Sequence, residues 1–497
     1  MRLADRRLTA MFGLLLAGCT VGPDYKTPAV PMSERFKEAT PADYKTAGSW
    51  RPAQPSDAAE RGKWWEVFGD PELNRLEDAL TESNQDLKVS EARYRQARTM
   101  VNYQRAALFP TISGGASAES LKDPAHQPYF PLPNARPTGD LQLPFDMSYE
   151  VDIWGNVRRA VVAAREEAQA SAGDMAAVGL SLHAELALDY IEMRSADAQQ
   201  RILDDTVKAY TDALRLTQNR LEGGFSPESD VEQAQTQLFT TRAQATDIGV
   251  LRSQYEHAIA VLIGRPPADF SLPPAPLTLK PPHTPAGVPS EVLQRRPDIA
   301  AAERRVAEAN EKIGIAQAAF YPSLNLNGTS GYAGTNGANW FMWPSLFWAV
   351  GASLTQPLFD GGRIRAQSDA TWADYDVKVA SYRQTTLTAF QEVEDNLSAL
   401  RILNAEAEQQ RLAVESANKS LRTFTNLYVG GQDAYLQVIV AQTVALTNQR
   451  SDVDIERRRM EADIRLVKAL GGGWDVAQLP ARDAGGLPPG AIVPFGP

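Results

Sequence analysis

Few residues of the sequence have the types and spacing that acid–base or metal chemistry requires. Glu150 and Asp152 are a spaced pair of carboxylates that could act as a general acid and a general base. They fall on the same face of a predicted strand, which favours a polar lining over catalysis. Gly361-Gly362 is too short for a phosphate-binding loop. The four histidines lack the close spacing of a helical metal site: His126, His183, His257 and His283. The residues therefore predict neither an enzyme nor a resident metal or cofactor.

The single cysteine, Cys19, has a different chemistry, because a thiol at the end of a leader can be acylated. A basic start is followed by a short apolar stretch, Leu8 to Ala17, which cannot span a bilayer. Its end, Leu16-Ala17-Gly18-Cys19, resembles the bacterial lipoprotein signal. The resemblance implies removal of residues 1–18 and covalent acyl chains, palmitate among them, on Cys19. Thr20, rather than an Asp, implies the outer membrane. The alternative is a chance cysteine after an uncleaved start.

Composition narrows the class of partner. The chain has 497 residues, a net charge of −11 and no long run of Lys or Arg, which weighs against nucleic acid. After Cys19 no uncharged apolar run approaches the ~20 residues of a membrane helix. A mature chain that crosses a membrane must therefore use strands closed into a barrel.

Proline and glycine divide the chain into two blocks with irregular segments around them. Residues 19–63 contain repeated prolines and few large apolar residues, which is typical of a tether. The Pro-rich stretch 264–289 predicts a connector, and the Gly- and Pro-rich residues 471–497 predict a tail. Between them lie the blocks, 64–263 and 290–470.

The two blocks repeat one plan, because five pairs of short motifs match in the same order. The offset is 212 residues for the first two pairs and 206 to 207 for the rest. Three of the pairs are Ala107-Leu108-Phe109-Pro110 with Ala319-Phe320-Tyr321-Pro322, Trp154-Gly155 with Asp360-Gly361, and Gly223-Gly224 with Gly430-Gly431. Each block reads as helix, strand, strand, long helix, Gly-Gly turn and helix, with Asp70-Pro71 and Ser226-Pro227 as helix starts.

Long helices are predicted at 157–222 and 363–429, where apolar residues recur every three or four positions. The stripes are Leu182, Leu186, Tyr190 and Met193 in the first block, and Leu387, Phe390, Val393, Leu397, Leu400 and Leu403 in the second. Each long helix would span roughly 100 Å. Shorter helices are predicted at 85–108, 227–263, 297–320 and 433–470. Two of these stacked end to end nearly match a long helix, so each block predicts a hairpin in a coiled-coil-like array.

Four segments between the helices alternate with period two, as half-buried strands do. One face is predicted to contact lipid through Phe145, Tyr149, Leu346, Trp348 and Val350. The other is predicted to line a water-filled pore biased toward cations, through Glu119, Asp146, Glu150 and Asp152. A soluble sheet would give the same alternation. Aromatic residues near the strand ends, at Trp340, Phe341 and Trp343, favour the membrane.

Four strands cannot close a barrel, because the smallest barrels need about eight. Open edges in lipid leave backbone groups unpaired at a cost of several kcal/mol each. The predicted fold is therefore mixed and mainly α: a long coiled-coil-like α-helical barrel continuous with a shared transmembrane β-barrel, four strands per chain, with an internal two-fold repeat.

Longer motifs make the identification more specific. They are Cys19-Thr20-Val21-Gly22-Pro23-Asp24-Tyr25, Trp64-Trp65, Arg295-Arg296-Pro297-Asp298-Ile299 and Gln356-Pro357-Leu358-Phe359-Asp360-Gly361-Gly362-Arg363. With them the chain resembles the TolC-like outer-membrane factors, in particular the lipoprotein branch that serves resistance-nodulation-division efflux pumps. The resemblance implies a homotrimer with a twelve-stranded barrel, a connector that girdles the tube, a periplasmic adaptor and an inner-membrane efflux pump. The implied function is a passive exit duct for drugs, with outer-membrane lipid around it.

The resemblance also implies a gate at the helix tips, around Gly223, Gly224, Gly430 and Gly431. In the family an acidic side chain near the second tip narrows the closed pore, and Asp433 matches it by position. The alternative role for Asp433 is the N-cap of the last helix.

Two other functions stay open at this stage. One is the exit duct of a secretion system or a metal-ion efflux system. The other is a periplasmic coiled-coil scaffold held on the membrane by lipid alone, which would not need an outward apolar strand face. The substrate cannot be read from the chain, because the pump selects it.

Overall fold

The computed structural model describes residues 20–31, 33, 36–38, 63–122, 124, 136–277, 295–474 and 476–480. The predicted signal peptide, Cys19, most of the tether, part of the connector and most of the tail lie outside the described residues.

Helices dominate the described residues, and a single antiparallel sheet interrupts them twice. The helices are α1 (Pro71–Ser83), α2 (Gln85–Ala106), α3 (Asn156–Glu222), α4 (Glu228–Leu262), α5 (Pro297–Ala318), α6 (Arg363–Val429) and α7 (Tyr435–Ala469). The strands are β1 (Thr111–Gly114), β2 (Ser117–Leu121), β3 (Thr138–Val151), β4 (Ser323–Gly334) and β5 (Leu346–Thr355). A short 3₁₀ turn, Trp64–Phe68, precedes α1.

The helices of the two blocks have equal lengths, which confirms the predicted internal repeat. Helices α2 and α5 each have 22 residues, α3 and α6 each have 67, and α4 and α7 each have 35. The shorter predicted helices extended about one or two residues too far at their ends.

A glycine in the left-handed conformation precedes each long helix. The positions of these two glycines correct the predicted alignment of the repeats. Gly155 (φ 83°) precedes α3 and Gly362 (φ 89°) precedes α6. These two glycines therefore correspond, and the predicted match of Trp154-Gly155 with Asp360-Gly361 is wrong by one residue. The second glycine of the Gly361-Gly362 pair, not the first, is the N-cap.

The start of α1 is capped as predicted, but the start of α4 is not. The Asp70 carboxylate accepts hydrogen bonds from the N–H groups of Glu72 (2.8 Å) and Leu73 (3.2 Å). Helix α4 begins at Glu228 with Pro227 at the N-cap and no side-chain cap. Ser226 does not cap it, because its Oγ accepts a hydrogen bond from Arg220 Nε at 3.3 Å.

The largest core cluster lies where α1 packs against the middle of α3. Leu73, Leu76 and Leu80 of α1 are fully buried in the same cluster as Leu186 and Tyr190 of α3. The predicted stripe of α3 is buried throughout. This packing fixes α1 across the long helix near its middle.

The predicted stripe of α6 is buried only in part. Val393, Leu397 and Leu403 are buried, whereas Leu387 is exposed. Successive spacings of three residues each turn the stripe by about 60° around a helix, which carries Leu387 off the buried face.

The sheet has the order β1–β3–β4–β5, with β2 also paired to β3. The prediction of four strands is therefore correct for strand positions, but the first position is broken into β1 and β2. Both pieces keep one register on β3, with Gly114 opposite Phe145 and Ser117 opposite Gln142. Pro144 lies opposite the break: its carbonyl oxygen accepts the Gly115 N–H at 3.0 Å, but it has no N–H to donate in return, so the ladder is incomplete there.

None of the helices in the described part of the chain has both the length and the apolar composition that a membrane-crossing helix requires.

The described part of residues 20–38 is an extended strap that lies along α5 and α6. Asn310 Nδ2 donates to the carbonyl oxygen of Pro23 at 3.1 Å. The Glu394 carboxylate accepts the backbone N–H of Lys37 at 2.6 Å. This part of the predicted tether is therefore docked on the helices by specific hydrogen bonds.

Candidate functional site

One face of the sheet is mainly apolar, although Ser120 of β2 and Ser330 of β4 also lie on it. Met147 lies opposite Gly328, and Gly328 lies opposite Val350, so these three residues share a face. The same register places every predicted lipid-facing residue on that face: Phe145, Tyr149, Leu346, Trp348 and Val350. Trp348 and Val350 are exposed in the single chain. Alternation within a single strand does not align apolar residues across a sheet, but the register between these strands does.

The opposite face is polar and acidic. Asp146 lies opposite Ser113 and Thr329, and Glu150 lies opposite Asn325. Glu119 lies directly opposite another carboxylate, that of Asp140. Glu119, Asp146 and Glu150 are exposed, and the described strands contain no Lys or Arg. A water-filled space along this face would carry uncompensated negative charge and would favour cations.

Asp152 does not line this face, so its predicted role is wrong. Strand β3 ends at Val151, and the Asp152 carboxylate turns to the start of α3. It accepts the N–H groups of Val157 (3.1 Å) and Arg158 (2.9 Å) and pairs with the Arg158 Nε at 3.0 Å. The free N–H groups and positive end of a helix attract a carboxylate more strongly than an acidic pore face does.

A second carboxylate has the same role at α6. Asp360 accepts the N–H groups of Gly362 (2.9 Å) and Ile364 (2.8 Å). These backbone hydrogen bonds lower the pKa of Asp360 below its usual value. Both long helices therefore begin with a carboxylate held on their N-terminal N–H groups.

The strands and helices meet in a region that we call the junction, residues 152–156 and 321–322. The rings of Trp154 and Tyr321 stack at 4.6 Å, and Trp154 Nε1 donates to the carbonyl oxygen of Pro322 at 2.8 Å. The backbone N–H of Val21 donates to the carbonyl oxygen of Trp154 at 3.1 Å. The first described residues of the chain therefore lie at the level where the sheet ends.

The opposite ends of the long helices form what we call the tips, residues 223–225 and 430–432. Gly224 (φ 76°) and Gly431 (φ 71°) are the left-handed residues. The N–H of Phe225 donates to the carbonyl oxygen of Arg220, and the N–H of Gln432 donates to that of Leu427, each at 2.9 Å or less. These are Schellman turns, which satisfy the last helical carbonyl groups.

Arg220 joins the two tips within one chain. Its Nη1 donates to the carbonyl oxygens of Tyr428 (3.2 Å) and Val429 (3.4 Å), at the end of α6. Its guanidinium carbon lies 4.7 Å from the centre of the Tyr428 ring. Tyr428 is buried in a cluster with Tyr435 and Val438. Sequence reasoning missed Arg220, because its partners lie more than 200 residues away along the chain.

Asp433 lies beside the second tip but is not the N-cap of α7. Helix α7 begins at Tyr435, its N-cap is Ala434, and no side chain caps it. Among the described residues, the Asp433 carboxylate accepts only the adjacent N–H of Ala434, at 2.7 Å. The N-cap alternative for Asp433 is therefore wrong, and its pore role remains a prediction.

A buried acid–base pair lies in the core between α1 and α3. Glu77 Oε2 is 2.6 Å from His183 Nδ1, and the Trp65 ring stacks on the imidazole at 4.3 Å. Burial raises the pKa of Glu77 to about 9 and lowers that of His183 to about 4. At neutral pH both groups are uncharged, which suits a site in which Glu77 is fully buried. The described residues hold no cluster of three or more metal-ligating side chains.

Comparisons with known proteins agree with this architecture. A family model described as outer membrane efflux protein matches residues 76–265 and 288–472. The chain is 32% identical over 471 residues to the solvent efflux pump outer membrane protein SrpC of Pseudomonas putida, covering 94% of this chain and 98% of the relative. The structure is similar to that of the outer-membrane channel OprN, with a TM-score of 0.84, 28% identity, and coverage of 92% of this chain and 100% of that one. It is also similar to the open state of the MtrE outer membrane channel of Neisseria gonorrhoeae, with a TM-score of 0.79, 26% identity, and coverage of 92% and 99%.

Proposed function

The chain belongs to the outer membrane efflux protein family, and we propose that three copies of it form a complete, lipid-anchored exit duct. It is an outer-membrane channel of an efflux system and not an enzyme. One observation carries this function: the sheet has a mainly apolar face and an opposite face that carries its acidic residues. Lipid outside and water inside require that combination from a single layer of strands.

Assembly of several copies is supported by the two open edges of the sheet. Strands β1 and β2 lie at one edge and β5 lies at the other. Unpaired N–H and C=O groups at such edges are unfavourable in lipid by several kcal/mol each. Four strand positions per chain are too few for closure, and three chains give the twelve strands that the family resemblance implies.

The helices form the part of the duct below the membrane. Helices α3 and α6, each of 67 residues, span roughly 100 Å along their axes. The tips lie at the helix ends farthest from the sheet. A tube of that length would cross much of the periplasm and bring the tips toward an inner-membrane pump, with a periplasmic adaptor between them. The connector, residues 264–289, would girdle this tube.

A lipid anchor on Cys19 is supported by where the next residues lie. Val21 is hydrogen-bonded to Trp154 at the junction, where the sheet ends. Acyl chains two residues earlier would enter the membrane leaflet beside the barrel without strain on the strap. The change Cys19→Ser tests this proposal by metabolic labelling with radioactive palmitate. We expect the variant to lose all label, and retained label would refute the anchor.

A gate at the tips is supported by the contacts of Arg220. This side chain ties the end of α3 to the end of α6 through two carbonyl groups and the Tyr428 ring. Opening would require the tips to separate, and so to break these contacts. Asp433, beside the second tip, would place one carboxylate per copy around the axis, where like charges repel and cations are attracted.

The exported molecules are proposed to be drugs and other small organic compounds. The solvent efflux pump component SrpC supports this class by its name. The pump, rather than the duct, would choose among them.

Single-channel conductance in planar lipid bilayers tests the duct and its gate together. We expect purified protein to run as a heat-modifiable trimer and to form pores of low conductance. Arg220→Ala and, separately, Asp433→Ala should each raise the conductance at least about twofold, because the first releases the tips and the second removes pore charge.

Arg215→Ala is the matched control for Arg220. Arg215 also lies on α3 in an ion pair, with Asp212 at 3.0 Å, but both side chains are exposed and Arg215 precedes Arg220 by more than one helical turn. Its conductance should equal that of the wild type. A protein that inserts without conductance contradicts the duct. An Arg220→Ala pore with unchanged conductance contradicts the role of Arg220 in holding the tips together.

A further inference from the structure

The two halves of the sheet are built alike, so each residue of one half has a counterpart in the other. Thr111 begins β1 and Ser323 begins β4, each directly after the proline of the matched motif. Thr111 lies opposite Ser148, and Ser323 lies opposite Thr355. Ser148 therefore corresponds to Thr355. The same spacing of 207 residues separates the first residues of the two long helices, 156 and 363.

Within one chain the two halves meet where β3 pairs with β4. Val151 lies opposite Leu324 at this contact, and both are half-buried. Their counterparts in the opposite halves are Leu358, three residues beyond the end of β5, and Ile112, on the edge strand β1. In the single chain Leu358 is 96% exposed and Ile112 is 71% exposed. The contact between the two halves is therefore made once inside the chain, and the residues that correspond to it in a second, equivalent contact are exposed.

We propose that β5 of one copy and the residues that follow it, up to Phe359, pair with β2 and β1 of a second copy in the register of the internal contact. Asp146 lies opposite Thr329 inside the chain, so Ser353 of one copy lies opposite Ser117 of the next. Leu358 of the first copy then meets Ile112 of the second. The occupant of each open edge is thus a second copy of this chain. The inference rests on the proposed multi-copy duct and adds its register.

The face of each side chain agrees with this register. Ser353 and Ser117 lie on the acidic, polar face. If β5 continues past Thr355 in the assembly, its alternation places Leu358 on the apolar face that holds Ile112. A shift of one residue would place apolar side chains opposite polar ones around the whole barrel. Shifts of two residues keep the faces matched, so they are the alternatives that an experiment must separate.

Repetition of one register also suits closure. Every half of every copy then adds the same stagger to the sheet, so the strands keep one tilt around the barrel. A different register between copies would make the tilt alternate between internal and external contacts.

Disulfide cross-linking of the double variant Ser353→Cys with Ser117→Cys tests the register. Both positions are exposed on the water-facing side, where an oxidant such as copper phenanthroline reaches them. Directly opposed strand residues have Cβ atoms about 4.5–5.5 Å apart, close to disulfide geometry. We expect outer-membrane fractions to give covalent dimers and trimers on non-reducing gels after heating, at least about fivefold above either single variant.

Two displaced pairs are the matched controls: Ser353→Cys with Gly115→Cys, and Ser353→Cys with Glu119→Cys. Each moves one cysteine by two residues on the same face, about 7 Å along the strand. A cysteine fits at Gly115, where an added Cβ would meet only the Pro144 ring, at 3.8 Å. Both pairs should stay near the background that the single variants, which also retain Cys19, define.

The outcomes separate the register from the duct. A displaced pair that cross-links as well as Ser353 with Ser117 overturns the register. A heat-modifiable trimer without any cross-link overturns the pairing of these edges. The absence of a trimer overturns the proposed duct, and the register with it.

Discussion

At the scale of single residues, Glu77 and His183 explain how a charged pair of residue types can occupy the core. Both side chains lie between α1 and α3, and the second carboxylate oxygen of Glu77 has no hydrogen-bond partner among the described residues. Ionisation of Glu77 would leave that oxygen charged and unpaired in an apolar site. A protonated Glu77 that donates to the neutral His183 Nδ1 avoids this cost.

The pair predicts how stability changes with pH. Glu77 has its pKa raised from 4.5 to about 9 in the folded chain, so the folded state holds a proton that the unfolded state loses. Stability from this group is present below pH 4.5 and is lost as the pH rises through 9. The pKa of His183 is lowered from 6.5 to about 4, so its contribution to stability rises with pH, but only below pH 6.5. Between pH 6.5 and 9 Glu77 is the member of the pair that changes the free energy of unfolding, by up to ~1.4 kcal/mol per pH unit.

Glu77→Gln should remove this slope, because a glutamine amide can donate to His183 without ionising. Thermal unfolding in detergent, measured from pH 6.5 to 9, checks the prediction. The melting temperature of the variant relative to the wild type should rise steadily across this range. Glu82→Gln, an exposed position on the same helix, should follow the wild type. A difference that stayed flat across this range would mean that the folded pair holds no extra proton, and would contradict the raised pKa of Glu77.

At the scale of elements, the change from strand to helix decides what neighbouring carboxylates do. Glu150 and Asp152 share a parity, and by alternation alone both would face the pore. The strand ends between them, at Val151, so only Glu150 stays on the acidic face. Asp152 becomes a ligand of the N–H groups at the start of α3.

Substitution of these two residues should therefore give different defects. Asp152→Asn weakens the helix start and the Arg158 pair, and should lower stability by about 1 kcal/mol. Glu150→Gln should leave the melting temperature unchanged but reduce the cation preference, measured as the reversal potential in a salt gradient. If Asp152→Asn altered selectivity without lowering stability, the helix-start role would be wrong.

The sequence predicts those elements whose signals are local. Long-helix ends are marked by glycines at 155, 223–224, 362 and 430–431, and they lie within about one residue of the prediction. The faces of β3 follow from period-two alternation. Prediction of the break opposite Pro144 requires the register of β1 and β2 on β3, and register is not a local property of the sequence. The contacts of Arg220 likewise could not be predicted from the sequence, because they depend on how close the two tips lie.

At the scale of the whole molecule, one repeated half accounts for both the tube and the sheet. Each half contributes a 67-residue helix beside a 35-residue helix, and two of the four strand positions of the sheet. The backbone groups of the two halves are hydrogen-bonded to each other where β3 pairs with β4, but the outer edges of the described sheet have no partner strand. A chain built this way is complete only with other copies.

The two faces of the sheet explain why such an assembly would conduct. Four acidic positions on the described strands, Glu119, Asp140, Asp146 and Glu150, share the face opposite to the apolar one. Closure with the apolar face outward would turn these carboxylates to water and leave hydrocarbon contacts to Trp348 and Val350. The reverse closure would bury charge in lipid at a large cost.

Labelling of two adjacent cysteine variants with a membrane-impermeant maleimide tests this orientation most directly. Ser353 and Leu354 are neighbours on β5 and lie on opposite faces. In outer-membrane vesicles Ser353→Cys should label rapidly through the water-filled lumen, and Leu354→Cys should label only after detergent removes the lipid. Equal labelling of both variants in intact vesicles, or faster labelling of Leu354→Cys, would contradict a channel with its apolar face in the membrane.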